Sequence, residues 1–422
     1  MSSIFGLGLT ILIFLLIEYL VFLTIQTALG KQKRRGKSIF YSIYFTFSLF
    51  MLVIVYFFNS IPFDQFAPLW KSLAIAGLLG FFGAKILIAL FFLINLLLIG
   101  FQWTIDYFAH RKERKAKNEE GVKLYEISRS RFLSIASIGL GAAVFGSLIQ
   151  GIRNKYNYKI RKAIIPIENL PKELENLKII QISDIHAGSF DNKDEVEKGI
   201  QMILRRNPDL ILFTGDLVNN VASEIEPYID IFKKLKAPLG VYSVLGNHDY
   251  GDYYKWDSEE EKKKNLESLI AHHKSMGWDL LNNTHRVLEY NEIKFNLIGV
   301  ENWGAKGRFP KIGDLDKATE NMDKNRILNI LLSHDPSHWD AQVRPNHPYI
   351  NLTLSGHTHG MQFGVRLPFM QWSPVQYMYK QWTGLYTEGK QHLYVNVGFG
   401  FLGYPGRVGI MPEITEISFT SK

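Results

Sequence analysis

The 422-residue chain contains no cysteine. That absence excludes a disulfide-stapled secreted scaffold, a thiolate metal site and a cysteine nucleophile. An excess of charge is also missing from most of the chain. Residues 151–422 carry 33 basic and 33 acidic groups, whereas residues 1–150 carry 15 basic against 7 acidic. The net charge of +8 therefore sits entirely in the first third. A nucleic-acid binder carries its basic footprint on the folded binding domain. Here the larger part of the chain is neutral, so no nucleic-acid partner is expected. An apolar fraction of 47% with 21% charged residues is that of a folded protein. The length suits two or three domains.

What the first third does contain is long apolar runs. Residues 4–29 are interrupted by one charge, Glu18; residues 39–58 carry none; residues 73–99 carry Lys85. Each reaches the roughly 20 helical residues that cross a hydrocarbon core. A fourth run, 132–148, is shorter and rich in Gly, Ala and Ser. It leaves three readings open: a thin span, a signal-anchor or an interfacial helix. The flanking charges set an orientation. Lys31, Lys33, Arg34, Arg35 and Lys37 follow the first run. Arg111, Lys112, Arg114, Lys115, Lys117, Lys123, Arg129 and Arg131 follow the third, while residues 59–68 have no basic group and carry Asp64. Positive loops stay cytoplasmic. Residues 106–131 are thus expected as a basic cytoplasmic loop, and everything after the fourth run as extracytoplasmic. Arg153, Lys155, Lys159, Arg161 and Lys162 argue the other way, less strongly than the third loop. Glu18 and Lys85 lie at similar depth, about 21 and 18 Å from the outer ends. Intramembrane charges pair or face polar cavities, so either an ion pair tying the first span to the third, or a snorkelling Lys85 beside a protonated Glu18, is expected.

The pattern changes near Lys178. Short runs rich in β-branched residues appear, each leading into polar residues. Leu177 to Ile182 leads into Ser183-Asp184-Ile185-His186, and Asp209 to Phe213 into Thr214-Gly215-Asp216. Gly240 to Leu245 leads into Gly246-Asn247-His248-Asp249, Ile327 to Leu332 into Ser333-His334, and Ile350 to Leu354 into Ser355-Gly356-His357-Thr358-His359. Such runs read as buried strands. Helical stretches such as 194–206 lie between the first ones, which indicates an α/β domain. Ligands collect beyond the carboxyl ends of strands in such sheets, and every Asp, Asn and His cluster sits there. Oxygen and nitrogen donors without sulfur suit Mn, Fe, Zn or similar ions. The donors are too many for one tetrahedral ion, so two divalent metals are implied. His272, His273, His338 and His347 belong to no such cluster and are expected on the surface or in loops.

Asp184-x-His186, Gly215-Asp216, Gly246-Asn247-His248-Asp249, His334 and Gly356-His357-Thr358-His359 together resemble the five-part signature of calcineurin-like metallophosphoesterases. The resemblance implies two mixed β-sheets flanked by helices over residues 178–422. It implies that Asp184, His186 and His359 bind one metal, that Asn247, His334 and His357 bind the other, and that Asp216 bridges both. It further implies hydrolysis of a phosphoester or pyrophosphate bond by a metal-bridging hydroxide. His248 would contact the phosphoryl group and protonate the leaving oxygen; Asp249 would either support it by orienting that imidazole or serve as a structural turn residue. The phosphate-clamping arginines of the protein Ser/Thr phosphatase branch are absent, since Leu217 follows Asp216 and Leu245 precedes Gly246. The segment Leu393 to Gly400, with Pro405-Gly-Arg407 and Pro412-Glu413-Ile414, is similar to the membrane-anchored bacterial branch, which includes exported phosphodiesterases and UDP-diacylglucosamine pyrophosphohydrolases. Arg407 is a candidate phosphate contact, beside Asn247 and His248; a structural ion pair is the alternative.

The expected organisation is three transmembrane helices in 1–105, the cytoplasmic loop 106–131, a fourth span or signal-anchor in 132–148, a linker in 149–177 and the α/β domain in 178–422. The expected location is the cell membrane, multi-pass. Residues 252–277 look like a solvated cap. Residues 363–386 hold Phe369, Trp372, Tyr377, Tyr379, Trp382 and Tyr386. Aromatics sit comfortably at headgroup level, so this segment is expected either to face the bilayer and admit a lipid-linked phosphate, or to pack into the domain. A nucleotide or protein phosphatase, and a non-enzymatic membrane sensor that retains the fold, are the competing readings.

Overall fold

The long apolar runs are helical because nothing in them breaks the backbone ladder, and in hydrocarbon only an internally bonded backbone is tolerated. A computed structural model describes residues 2–60, 68–109, 120–307, 309 and 311–422. The chain divides into two units, Met1–Ile152 and Arg153–Lys422. Among the described residues the first unit holds four long helices: α1 (Ser2–Leu29), α2 (Arg34–Ser60), α3 (Pro68–Ala109) and α4 (Glu120–Gly151). All four are long and apolar enough to cross a membrane. The fourth is no marginal segment, since its candidate span covers Arg129–Asn154, 26 residues. Residues 106–131 are less of a loop than expected, because α3 and α4 extend into them from both sides. Arg111 to Lys117 and Asp64 lie outside the described residues.

Side-chain pairs show how these helices run. Phe14 meets Phe82 and Glu18 meets Lys85, so α1 and α3 are parallel. Phe22 meets Tyr41 and Glu18 meets Tyr44, so α2 runs opposite to α1. Ile88 lies against Gly141, and Asn95 donates to Ser130 at 3.2 Å, so α4 runs opposite to α3. The expected Glu18–Lys85 pair is present. Lys85 also donates to Ser48 at 3.0 Å, and Tyr44 donates to the other Glu18 oxygen. Both charges are therefore satisfied inside the bundle, and three helices are tied at one level.

The second unit holds two six-stranded mixed sheets. The first has the order β1 (Lys159–Ile167), β14 (Glu413–Ser421), β2 (Ile179–Ile182), β3 (Leu210–Thr214), β4 (Val241–Val244), β5 (Asp279–Leu280). The second has the order β12 (Gly384–Glu388), β13 (Gln391–Val395), β9 (Leu352–Ser355), β8 (Asn329–Leu332), β7 (Ile293–Gly299), β6 (Thr284–Tyr290). β10 (Val365–Leu367) and β11 (Met370–Trp372) form a separate hairpin. Pairings β2–β3, β3–β4, β7–β8, β8–β9 and β9–β13 are parallel.

Alternation within the strands builds the layers. Leu210 and Leu212 of β3 point into a core shared with Leu297, Ile330, Leu332 and Leu354 of the other sheet. Ile211 and Phe213 point the opposite way, onto Val196, Ile200 and Ile203 of helix α5 (Lys193–Leu204). Strands buried on both faces read as continuous apolar runs, which is why they were legible. Helix α5 is capped by Asn192, whose side chain accepts from Glu195 N at 3.2 Å.

Three expectations need correction here. The stretch 149–177 is not a linker, because β1 pairs along its whole length with β14. Residues 252–277 are not only a solvated cap: helix α6 (Glu259–Ser275) packs Leu269 onto the first sheet. His273, His338 and His347 are buried rather than superficial. His273 Nδ1 faces Ser243 Oγ at 3.0 Å and His338 Nδ1 faces Ser333 Oγ at 2.8 Å, so a short hydroxyl partner reaches one nitrogen of each imidazole in the core.

Candidate metal centre

The carboxyl ends of β2, β3, β4, β8 and β9 converge, and the seven expected donors converge with them. Asp184, His186 and His359 form one group whose donor atoms all lie within 4.8 Å of one another; Asp216, His334 and His357 form a second. In the first, His186 Nε2 is 3.0 Å from His359 Nε2, and His359 Nε2 is 3.2 Å from Asp184 Oδ1. In the second, His334 Nε2 is 3.1 Å from Asp216 Oδ2 and 3.2 Å from His357 Nδ1. Asn247 joins the second group, its Oδ1 lying 3.1 Å from His334 Nε2 and 2.8 Å from His357 Nδ1. Asp216 Oδ2 also lies 3.5 Å from His186 Nε2, so one carboxylate oxygen faces both groups.

These spacings test whether a cation fits. Two donors each about 2.1 Å from one ion lie about 3.0–3.4 Å apart, and the donor pairs fall in or near that range. Two ring nitrogens 3.0 Å apart can share at most one proton, so a cation satisfies them better than hydrogen does. The residues therefore fit two divalent ions.

The surroundings aim the donors. His334 Nδ1 donates to the Thr214 carbonyl at 2.7 Å, which turns the Nε2 lone pair inward. Asn247 Nδ2 donates to Tyr253 OH at 2.9 Å, which turns its Oδ1 inward. His357 Nε2 meets Tyr379 OH at 2.9 Å, and that hydroxyl donates to Asp335 Oδ2 at 3.3 Å. The backbone is strained to the same end. Asp184, His186, Asp216, His357 and His359 all have φ between 49° and 71°. Side chains avoid this left-handed region except where the surroundings impose it, and such strain clusters at functional sites. Gly215, at φ 92°, makes the turn before Asp216; a Cβ there would lie 2.6 Å from Gly246 N and 2.8 Å from His334 Nδ1.

Electrostatics agree with a site built for positive charge. Burial works to raise the carboxyls of Asp184 and Asp216, but neighbouring imidazoles prevail and hold both below the ordinary carboxylate range. Burial works to lower His334, yet the Asp216 carboxylate prevails and draws it up to about 10. A proton on His334 thus does the work that a divalent cation would do better.

His248 stands at the rim, half-buried, its ring 5.0 Å from that of His186. Its backbone N donates to Asp216 Oδ1 at 2.9 Å, and its Nδ1 meets the Asn219 carbonyl at 2.7 Å. The expected orientation of that imidazole by Asp249 is corrected: Asn219 does it. Asp249 is buried and accepts from the amides of Asp216 (2.9 Å), Leu217 (2.8 Å), Val218 (3.2 Å) and Gly246 (2.8 Å). It ties the β3 loop to the β4 loop. Burial raises its carboxyl to about 7, against the pull of the amides. Arg407 is also corrected. It is wholly buried and donates to the carbonyls of Val397 at 2.7 Å, His359 and Gly398 at 3.3 Å, and Gly400. It braces the backbone behind the first group instead of reaching a phosphate or an acid side chain. Sequence reading places none of Asn219, Asp335, Tyr253 and Tyr379 at the centre; of these, Asp335, next to His334, carries a signal, and Tyr379 is one of the aromatics of residues 363–386.

A membrane region followed by an α/β unit with two candidate cation-binding groups at its strand ends defines a class, the membrane-bound metallophosphoesterases. Two family models match: the transmembrane domain of a probable calcineurin-like phosphoesterase over residues 1–155, and calcineurin-like phosphoesterase over residues 177–361. The Bacillus subtilis (strain 168) metallophosphoesterase YkuE is 30% identical over 267 residues, 60% of this chain and 82% of its own length. The Danio rerio transmembrane protein with metallophosphoesterase domain is 30% identical over 309 residues, 70% of this chain and 66% of its own length. A Helicobacter pylori (strain ATCC 700392 / 26695) metallophosphoesterase is 27% identical over 335 residues, 78% of this chain and 79% of its own length. The chain belongs to the calcineurin-like metallophosphoesterases, a family of phosphoester hydrolases, and joins that domain to a membrane region.

Proposed function

We propose that the chain is a multi-pass, dinuclear-metal phosphohydrolase that cleaves a phosphoester or pyrophosphate bond, with lipid-linked phosphates among its substrates. The observation that carries this reading is Asp216 Oδ2, which faces His334 Nε2 at 3.1 Å and His186 Nε2 at 3.5 Å and so joins the two donor groups. Asp184, His186 and His359 would hold one divalent ion and Asn247, His334 and His357 the other, with the Asp216 carboxylate facing both. Bound there, two such ions would polarise the phosphoryl oxygens and make water a nucleophile at neutral pH.

The chain's own residues do the rest. The carbonyl of Asn219 keeps a proton on His248 Nδ1, so Nε2 is the nitrogen that exchanges a proton with substrate. From the rim, Nε2 of the protonated ring donates to the leaving oxygen, a step worth about 10²–10⁴ in rate. Asp249 and Arg407 act through backbone, holding the loops in place. The alternating helix directions support four crossings. The basic residues after α1 and near the start of α4 support a cytoplasmic face there and an extracytoplasmic catalytic unit. Arg131 at that end of α4 donates to the Ala28 carbonyl of α1 at 3.1 Å, which puts both basic segments at one end of the bundle.

The test is hydrolysis of bis(p-nitrophenyl) phosphate in Mn²⁺ together with metal content. Asp216→Ala and Asn247→Ala should lose activity and bound metal. His248→Gln should lose activity and keep its metal. Full activity in Asp216→Ala would refute the reading.

A further inference from the structure

The aromatic segment after His359 divides its residues into two faces. Val375, Tyr379 and Trp382 turn inward and pack with Val397 and Ile410. Leu367, Phe369, Met370, Trp372, Tyr377 and Met378 turn outward; Phe369 is 84% exposed and Tyr377 78%. Of fourteen large hydrophobic side chains exposed on the second unit among the described residues, seven fall within residues 361–378. That concentration is not the single scattering normal for a soluble surface.

The exposed face is rigidly mounted beside the metal centre. At one end Arg366 of the β10–β11 hairpin is ion-paired with buried Glu413. At the other, Tyr379 OH touches the candidate ligand His357 at 2.9 Å. Between them Ser373 Oγ donates to the Gly360 carbonyl at 2.8 Å, one residue after His359. Across the centre, half-exposed Tyr253 accepts from the Asn247 side chain at 2.9 Å.

The chain also says what lies within reach of the second unit. Its fourth candidate span ends at Asn154 and β1 begins at Lys159. Five residues reach at most about 18 Å, so the second unit is tethered next to a bilayer. Trp and Tyr settle at the lipid–water interface, and here Phe369 and Trp372 of the hairpin are exposed together with Tyr377 just after it. We propose that residues 361–378 form a lipid-docking platform, which sits in the interfacial layer and offers the phosphate of a membrane lipid to the adjoining metal centre. This rests on the phosphohydrolase reading for its chemistry, but the docking itself does not.

Two measurements on the full chain in phosphatidylethanolamine/phosphatidylglycerol proteoliposomes test it. Because the protein has no cysteine, Phe369→Cys offers a unique site for a bimane label. Brominated lipid should quench that label strongly and leave a label at Val287→Cys, on the edge strand β6, unquenched. Equal or absent quenching at residue 369 overturns the platform. The second measurement compares a p-nitrophenyl phosphodiester of diacylglycerol with bis(p-nitrophenyl) phosphate. Phe369→Ser/Trp372→Ser/Tyr377→Ser should lose at least tenfold in kcat/KM on the lipid ester and stay within twofold on the soluble one. Equal losses, or none on the lipid ester, would show that the face serves packing or nothing. If wild type cleaves neither ester while residue 369 is quenched, the docking stands and the hydrolase reading fails.

Discussion

Lys85 and Arg407 are both cations buried to 3% exposure or less, one in each unit, and they are neutralised differently. Lys85 faces the Glu18 carboxylate between α1 and α3, helped by Ser48. Arg407 faces four backbone carbonyls behind the metal centre. In a helical bundle the backbone carbonyls are consumed by the ladder, so a buried charge must find a side chain. At strand ends the turns leave carbonyls free, and a guanidinium with five donors can gather them. The same freedom lets the strand-end loops bring Asp, Asn and His donors together in two groups, and among the described residues the helices of the first unit form no such group.

That contrast can be broken from several sides. The largest effect is expected from Lys85→Met alone. It strands Glu18, and breaking a buried pair costs about 3–5 kcal/mol. In detergent unfolding, Glu18→Leu/Lys85→Met should recover most of that loss; additive losses would show that the two side chains do not interact. Arg407→Met leaves carbonyls unpaired, at about 1–3 kcal/mol by the cost of a buried unmade bond. Because it acts through the His359 backbone, it should also weaken Mn²⁺ binding, and a variant with lowered melting temperature and unchanged metal affinity would separate the two.

Acid should reach the second unit through its core histidines. Burial holds His273 down at about 3 and His338 at about 4, below the ordinary 6.5. Both stay neutral when folded and take up a proton on unfolding. Their depressed values cost nothing above pH 6.5 and remove stability as pH falls below it, by up to about 1.4 kcal/mol per pH unit each. His273→Gln should flatten its share of the slope between pH 6.5 and 5. The smallest effect is expected from Tyr379→Phe, which removes the hydroxyl on His357. Such changes cost about 10-fold or more in metal affinity, read by titration of Mn²⁺, with the fold intact.

How much was legible follows from the same physics. Donors at strand ends stood out because each follows a continuous apolar run, as with Leu210 to Phe213 before Asp216. The residues that aim them did not, because Asn219 offers a carbonyl and Tyr379 comes from a segment read as a whole for the membrane. Arg407 was misread because a sequence displays its charge and hides the carbonyls around it. β1 passed for a linker because it carries Lys159, Arg161 and Lys162 at the sheet edge, and its partner β14 lies about 250 residues away. His273 and His338 looked superficial because nothing local announces a buried serine opposite.

The central claim is that Asp216 joins two cations in one centre. Mn²⁺ titration of metal-free protein, followed by electron paramagnetic resonance, reads this directly. Two ions per chain with an exchange-coupled spectrum, reduced to uncoupled or lost signal in Asp216→Ala, is the predicted result. One ion per chain, or a coupled pair that survives Asp216→Ala, would contradict it.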